Sequence, residues 1–176
     1  MLGRDFTSIL DISPTELSDL LDLALGMKRD GPSEVLRGRT LAMVFEKPSL
    51  RTRTSFEMAM RRLGGGAIYL SGREVQMGER EPVRDVARVF SRMVQAIAAR
   101  TFDHQTIVDL AQWADVPVVN ALSDDEHPCQ ALADLLTLRE RFGGLNGVVL
   151  AYIGDGNNVA RSLAYACVMA GVDLRV

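Results

Sequence analysis

The sequence predicts an α/β protein with a parallel sheet flanked by helices, and three observations carry that prediction. Its short apolar runs are hydrophobic throughout instead of alternating, they are separated by segments with helical spacing, and glycine or proline marks the joints. Strands of this kind are buried on both faces, which requires helices on both sides of the sheet. The chain has 176 residues, 47% hydrophobic and 24% charged, a globular composition with enough apolar material for a core.

Each element follows from local chemistry. Ser13-Pro14-Thr15-Glu16 joins an N-cap, a proline at the first helical position and a capping-box glutamate. Leu17, Leu20, Leu21, Ala24 and Leu25 then recur on one face, which predicts a helix to about Arg29. Residues 40–46 (TLAMVFE) read as a strand, Lys47-Pro48 as a breaker, and residues 52–63 as a helix that stops at Gly64-Gly65-Gly66. The same grammar gives strands at 67–70, 96–100 and 116–122, and helices at 82–93, 105–114 and 128–142. Residues 71–81 are polar and glycine-containing, and read as a mobile loop. After Gly147 the pattern starts afresh, with a strand at 148–153, a loop at 154–158, a helix at 159–170 capped by Gly171, and a strand at 172–176. One βαβ unit cannot cover its own sheet, so residues 1–144 are expected to form one domain and residues 145–176 the truncated start of a second.

Charge and composition exclude several function classes. A net charge of −3 supplies no field for DNA, RNA or an anionic membrane. Cys129 and Cys167 cannot make a disulfide framework and have no zinc-ligand spacing, which points to a reducing compartment and to no metal. The longest apolar run, residues 163–170, is far short of the roughly 20 residues of a membrane span, and residues 1–11 lack the apolar stretch of a signal peptide. The expectation is a soluble, cytoplasmic protein.

Three segments carry chemistry. Ser49-Leu50-Arg51-Thr52-Arg53-Thr54 lies where a strand gives way to a helix, so backbone N–H groups, hydroxyls and two guanidinium groups converge on a helix N-terminus, an arrangement suited to a phosphate dianion. The alternative is that both arginines are solvated or pair with Glu46 and Glu57; the segment is not a P-loop. His127-Pro128-Cys129-Gln130 opens the longest helix of the second half, and His127 and Gln130 can face one point, the histidine donating to a carbonyl oxygen and the glutamine accepting from an amide. Against this stands His127 as a plain capping residue. His104 reads as local capping, and Cys129 as an inferior nucleophile candidate. Gly154-Asp155-Gly156-Asn157-Asn158 begins like a dinucleotide fingerprint but has Val159 at the third glycine position; its two asparagines can instead hold a zwitterion through amide hydrogen bonds. Arg100 stands at a strand's carboxyl end, where open α/β sheets bind ligands.

Together PSLRTRTSFE (residues 48–57), HPCQALADLLT (residues 127–137) and GDGNN (residues 154–158) resemble the aspartate/ornithine carbamoyltransferase family, in order and in spacing, over nearly the whole chain. Phe45-Glu46-Lys47-Pro48, Ser71-Gly72-Arg73-Glu74-Val75-Gln76 with Gly78, and GDGNN make the resemblance closest to the ornithine branch of bacteria. What the resemblance implies is transfer of a carbamoyl group from carbamoyl phosphate to the side-chain amine of L-ornithine, with no cofactor and no metal, in homotrimers or multiples of trimers with shared active sites. It implies further that Ser49, Leu50 (by backbone), Arg51 and Thr52 hold the phosphate and that Arg100 bridges phosphate and carbonyl oxygen. His127 would polarise the carbonyl, Gln130 would bind the carbamoyl amide, Gln76 would reach a neighbouring subunit's carbamoyl phosphate, and Asn158 would contact ornithine. Arg51, Arg100 and His127 would be catalytic. Leu50 stands where threonine is commoner, Glu126 where an aromatic residue often precedes the histidine, and Arg161 where a small polar residue or histidine is usual; the first two are tolerable if those positions contribute backbone. The family's second half holds the Asp and Ser-Met-Gly residues for ornithine and an H-C-L-P segment, neither of which falls within this sequence. The other readings are a carbamoyltransferase for aspartate or putrescine and a non-catalytic phosphate-binding fragment; a nicotinamide enzyme fails at Val159.

Overall fold

A computed structural model describes residues 3–176 of the chain, and two parallel sheets organise it. The first has four strands in the order β2-β1-β3-β4, where β1 is Thr40–Phe45, β2 Gly66–Ser71, β3 Ala96–Arg100 and β4 Val118–Leu122. The second pairs β5 (Val149–Ala151) with β6 (Asp173–Arg175). The helices are α1 (Pro14–Asp30), α2 (Leu50–Arg62), α3 (Gly72–Val75), α4 (Val83–Ser91), α5 (His104–Trp113), α6 (Pro128–Phe142) and α7 (Asn158–Ala170). The α/β prediction holds, and each predicted strand and helix is present within a few residues of its expected ends.

Burial explains the uniformly apolar strands. Ala42, Val44, Ile97 and Ala99 face α4 and α5 through Val86, Ala87, Ile107 and Leu110. The intervening Leu41, Met43, Phe45 and Ala98 face the other way, with Met60 of α2 and Ala121. A period of two thus puts apolar side chains into two separate cores. A third core joins the two sheets: Leu17 and Leu21 of α1, Ala131 and Leu135 of α6, and Leu163, Ala166 and Cys167 of α7 form one cluster.

Strand order places a crevice. β1 has β2 on one side and β3 on the other, so the chain leaving β1 turns toward α2 and β2 while the chain leaving β3 turns toward α5 and β4. The two exits diverge at the carboxyl edge, which is where a parallel sheet of this kind opens.

The structure departs from expectation in three places. Residues 71–81 are not wholly loop, because Ser71 and Glu74 form a capping box around the short helix α3, and Glu74 accepts from the Ser71 amide at 2.8 Å. Gly72 is required there, since a Cβ would lie 2.8 Å from the Glu46 Cα. A 3-10 turn at Ile9–Asp11, capped by Ser8, went unpredicted because three residues show no periodicity. Strands β5 and β6 are shorter than expected, their mutual register covering only Val149–Ala151 against Asp173–Arg175.

Because α7 shares its core with α1 and α6, Leu135→Ala and Leu163→Ala should each cost about 2–5 kcal/mol and lower the midpoint of one common urea transition. Two separate transitions, only one of which moves, would show that the cores are not joined.

Candidate functional site

The crevice holds a cavity of about 430 Å³ lined by Ser49, Arg51, Thr52, Arg100, His127, Gln130 and neighbouring residues, none of them acidic. Each side chain arrives by a different element. Ser49 is the N-cap of α2: its hydroxyl accepts from the Thr52 amide at 3.3 Å and donates to Thr52 Oγ1 at 3.0 Å. This closes the first turn and leaves the remaining early N–H groups of α2 directed outward. Leu50 follows at the first position of α2 and is 81% exposed.

Arg100 ends β3. Its partner register shifts there, from Ala99 opposite Asn120 to Arg100 opposite Leu122, an irregularity that re-aims the last side chain of the strand. Its guanidinium reaches Thr52 Oγ1 at 3.5 Å, and its Nε is buried with no hydrogen-bond partner among the described residues. Burial, then the adjacent Arg51, holds its pKa below the usual arginine value; the group stays charged at neutral pH. His127 is the N-cap of α6, with Pro128 setting the first turn. Its Nδ1 is likewise buried and unpartnered among the described residues. Burial, then the Arg100 charge, holds its imidazole down to about 4, so it is neutral at pH 7. Gln130 follows one turn later, its Nε2 donating to Asp134 Oδ1 at 2.8 Å.

Several sequence readings change here. Arg51 and Arg53 do not converge: Arg53 pairs with Glu57 at 2.9 Å and stacks 3.9 Å above Tyr69, so it belongs to the outer face of α2. Glu46 pairs with neither arginine and instead accepts from the Phe102 amide at 2.8 Å. His104 is not the cap of its helix, because Asp103 accepts from the Gln105 amide at 2.9 Å; the His104 ring meets Ser123 Oγ at 2.8 Å. Cys129 lies at the cavity, but burial pushes its thiol up to about 12, which removes it as a nucleophile.

The two asparagines of GDGNN line one cavity but make different hydrogen bonds. Asn157 caps α7, its Oδ1 accepting from the Val159 and Ala160 amides at 3.0 and 3.3 Å, so that oxygen is committed to the helix end while the residue still lines the cavity beside Asn158. Asn158 donates to the Ser123 carbonyl at 2.5 Å. This second cavity, of about 250 Å³, is also lined by Asp124, Asp125 and Arg161, the last two forming an ion pair. Gln76 lies in neither cavity; it is exposed, and at φ +46° it ends α3 in the left-handed region.

At Glu126 the sequence condition that the position contributes backbone does not hold. The residue is 4% exposed, and its side chain, not its backbone alone, does the work: it accepts from Ser8 Oγ at 2.5 Å, the Ile9 amide at 3.2 Å and Ser162 Oγ at 3.0 Å. The available signal was a carboxylate where an apolar ring is usual, which inside a fold demands donors.

Comparison with known proteins accords with this geometry. Residues 4–140 match the model of the aspartate/ornithine carbamoyltransferase, carbamoyl-P binding domain. The chain is 56% identical to ornithine carbamoyltransferase of Thermus thermophilus, with 99% of this chain covering 58% of that protein, and 48% identical to the ornithine carbamoyltransferase of Bacillus subtilis, covering 55% of it. The crystal structure of the Thermus thermophilus enzyme superposes with a TM-score of 0.96 over 100% of this chain and 62% of that one, at 55% identity. That from Pyrococcus furiosus gives 0.93 at 48% identity over 98% and 56%. The chain therefore spans somewhat over half the length of these relatives, and it belongs to the aspartate/ornithine carbamoyltransferase family.

Proposed function

We propose that this chain supplies the carbamoyl phosphate side of an ornithine carbamoyltransferase, which moves the carbamoyl group to the side-chain amine of L-ornithine and releases L-citrulline and phosphate. One observation carries the reading: two arginines, a neutral histidine and the N-terminus of α2 meet in a single cavity without a carboxylate. Relatives named for the ornithine reaction support the choice of amine.

In this reading Ser49, Thr52, Arg51 and the amides at Leu50 and its neighbours bind the phosphate, a dianion matched to a helix N-terminus and a planar guanidinium. Arg100 spans the phosphate and the carbonyl oxygen. When the amine attacks, negative charge develops on that oxygen, and Arg100, Thr52 and a ring N–H of His127 stabilise it as an oxyanion hole does. A neutral imidazole suits the role because its N–H donates a hydrogen bond yet is far too weak an acid to pass its proton to the departing phosphate. Gln130, whose Nε2 is held by Asp134, turns its carbonyl to the carbamoyl N–H groups. Asn158 contacts ornithine beside Asp124 and Asp125, and residues from 145 onward begin the amino-acid domain. Gln76 serves a neighbouring subunit in a homotrimer, and the setting is cytoplasmic arginine biosynthesis; no helix among the described residues is long and apolar enough to cross a membrane.

Three measurements check this. Carbamoyl phosphate at about 100 times its Kd should stabilise the chain by about 2.7 kcal/mol, a rise of roughly 5–10 °C in the unfolding midpoint, and Arg51→Ala should abolish the rise; no rise in the parent chain would remove the phosphate site. In a form of the full length of its relatives, the enzyme should make citrulline from ornithine, and faster turnover of aspartate or putrescine would overturn the amine assignment. His127 also ties stability to pH. Its folded pKa of about 4 lies below the ordinary 6.5, so the unfolded chain binds the proton more readily. The contribution is complete above about pH 6.5 and lost as pH falls toward 4. Urea unfolding across that window should show the decline, and His127→Asn should flatten it.

A further inference from the structure

We propose that Glu126 is a positioning residue for His127, acting through Ser162, so that the seating of α7 sets the geometry of the carbamoyl phosphate cavity. Ser162 lies in α7 and is wholly buried. Its hydroxyl donates to Glu126 Oε2 at 3.0 Å and accepts from the His127 amide at 2.9 Å. A hydroxyl has one proton, so donation to Glu126 fixes its rotor and turns a lone pair toward His127 N–H. The opposite side of Glu126 is held by Ser8 Oγ at 2.5 Å and the Ile9 amide at 3.2 Å, which anchors the carboxyl group to the N-terminal turn. No basic side chain among the described residues pairs with it, so these three donors alone satisfy it.

His127 needs such an anchor. Its backbone, at φ −133° and ψ 68°, is outside helical geometry, its side chain makes no capping bond, and its Nδ1 has no partner among the described residues. The loop before it is pinned as well, since Ser123 N donates to the Glu126 carbonyl at 2.9 Å and Glu126 N donates to Ser123 Oγ at 3.2 Å. Backbone contacts on both sides, and not a bond to the ring, therefore decide where the imidazole sits. A buried carboxyl group is costly unless its donors are complete, so the network tolerates little displacement of any member.

The chemistry of His127 rests on the carbamoyl-transfer reading, but its placement does not, and the test separates the two. The two histidines give two imidazole NMR signals, assigned with His127→Asn. In the parent chain the His127 midpoint should lie near 4. In Ser162→Ala, which removes one oxygen, the ring gains solvent and the midpoint should rise by about one unit or more toward the ordinary value. Glu126→Gln should move it in the same direction. In the form of the full length of its relatives both variants should lower kcat about 10-fold or more, with little change in KM for ornithine. A folded Ser162→Ala chain whose His127 still titrates where the parent does, with kcat unchanged, overturns the proposal. If Glu126→Gln fails to fold, Ser162→Ala decides alone. If the parent enzyme transfers no carbamoyl group, the functional reading falls and the titration still decides the positioning.

Discussion

Uncompensated positive charge in a half-buried crevice is the constraint from which the site's other properties follow. Arg51 and Arg100 sit together with no acidic residue lining their cavity. Burial, and after it the repulsion from Arg51, lowers the pKa of Arg100; burial, and after it the Arg100 charge, keeps His127 unprotonated. A single arrangement thus repels a third cation and prefers an anion of more than one charge. The unpartnered Arg100 Nε and His127 Nδ1 state the same preference in hydrogen bonds, because buried polar atoms without partners are expensive unless a ligand completes them.

The fold sustains that charge by giving the carboxylates of Glu46, Glu57 and Glu126 other partners. Glu57 is drawn to Arg53 on the outer face of α2. Glu46, directly after β1, turns to the Phe102 amide, and Lys47 lies 4.6 Å over the Phe102 ring, so the exits of β1 and β3 are tied to each other and not to the arginines. Glu126, one residue from His127, points away to Ser8 and Ser162. Strand order does the rest, since the exits separate at the point where β1 is flanked by β2 and β3.

The architecture was legible in the sequence because burial on both faces leaves a coarse signal: runs such as residues 41–45 and 96–99 have no polar positions to misread. Pro128 and Gly143 bound α6 as expected, because a missing N–H and a left-handed φ are local properties. The site was legible in type but not in partnership. That Arg51 enters the cavity while Arg53 does not depends on Tyr69, a residue of the neighbouring strand that no local pattern connects to it. The register shift at Arg100 depends on β4, and the burial of Glu126 depends on Ser8 and Ser162, over a hundred residues before it and 36 after it. Residues 71–81 were misread for the opposite reason: a single helical turn is too short to impose a period, although its capping box was written in Ser71 and Glu74.

The loop from Ser123 to His127 divides two cavities of opposite character. On one side lie Arg51, Arg100 and His127; on the other lie Asp124 and Asp125 with Asn158 and the paired Arg161. Under the proposed reaction this division is chemically apt. Carbamoyl phosphate brings negative charge to the basic side, while ornithine approaches as an ammonium group that must lose a proton before it attacks. Carboxylates on its side favour the cation's arrival, and the cationic crevice beyond the loop disfavours the charged amine relative to the neutral one. The loop that separates the two fields also carries His127, and Asn158 and Ser162 of α7 both bond to it. The electrophile's polarisation and the amine's approach therefore share one mechanical support, and any displacement of α7 acts on both at once.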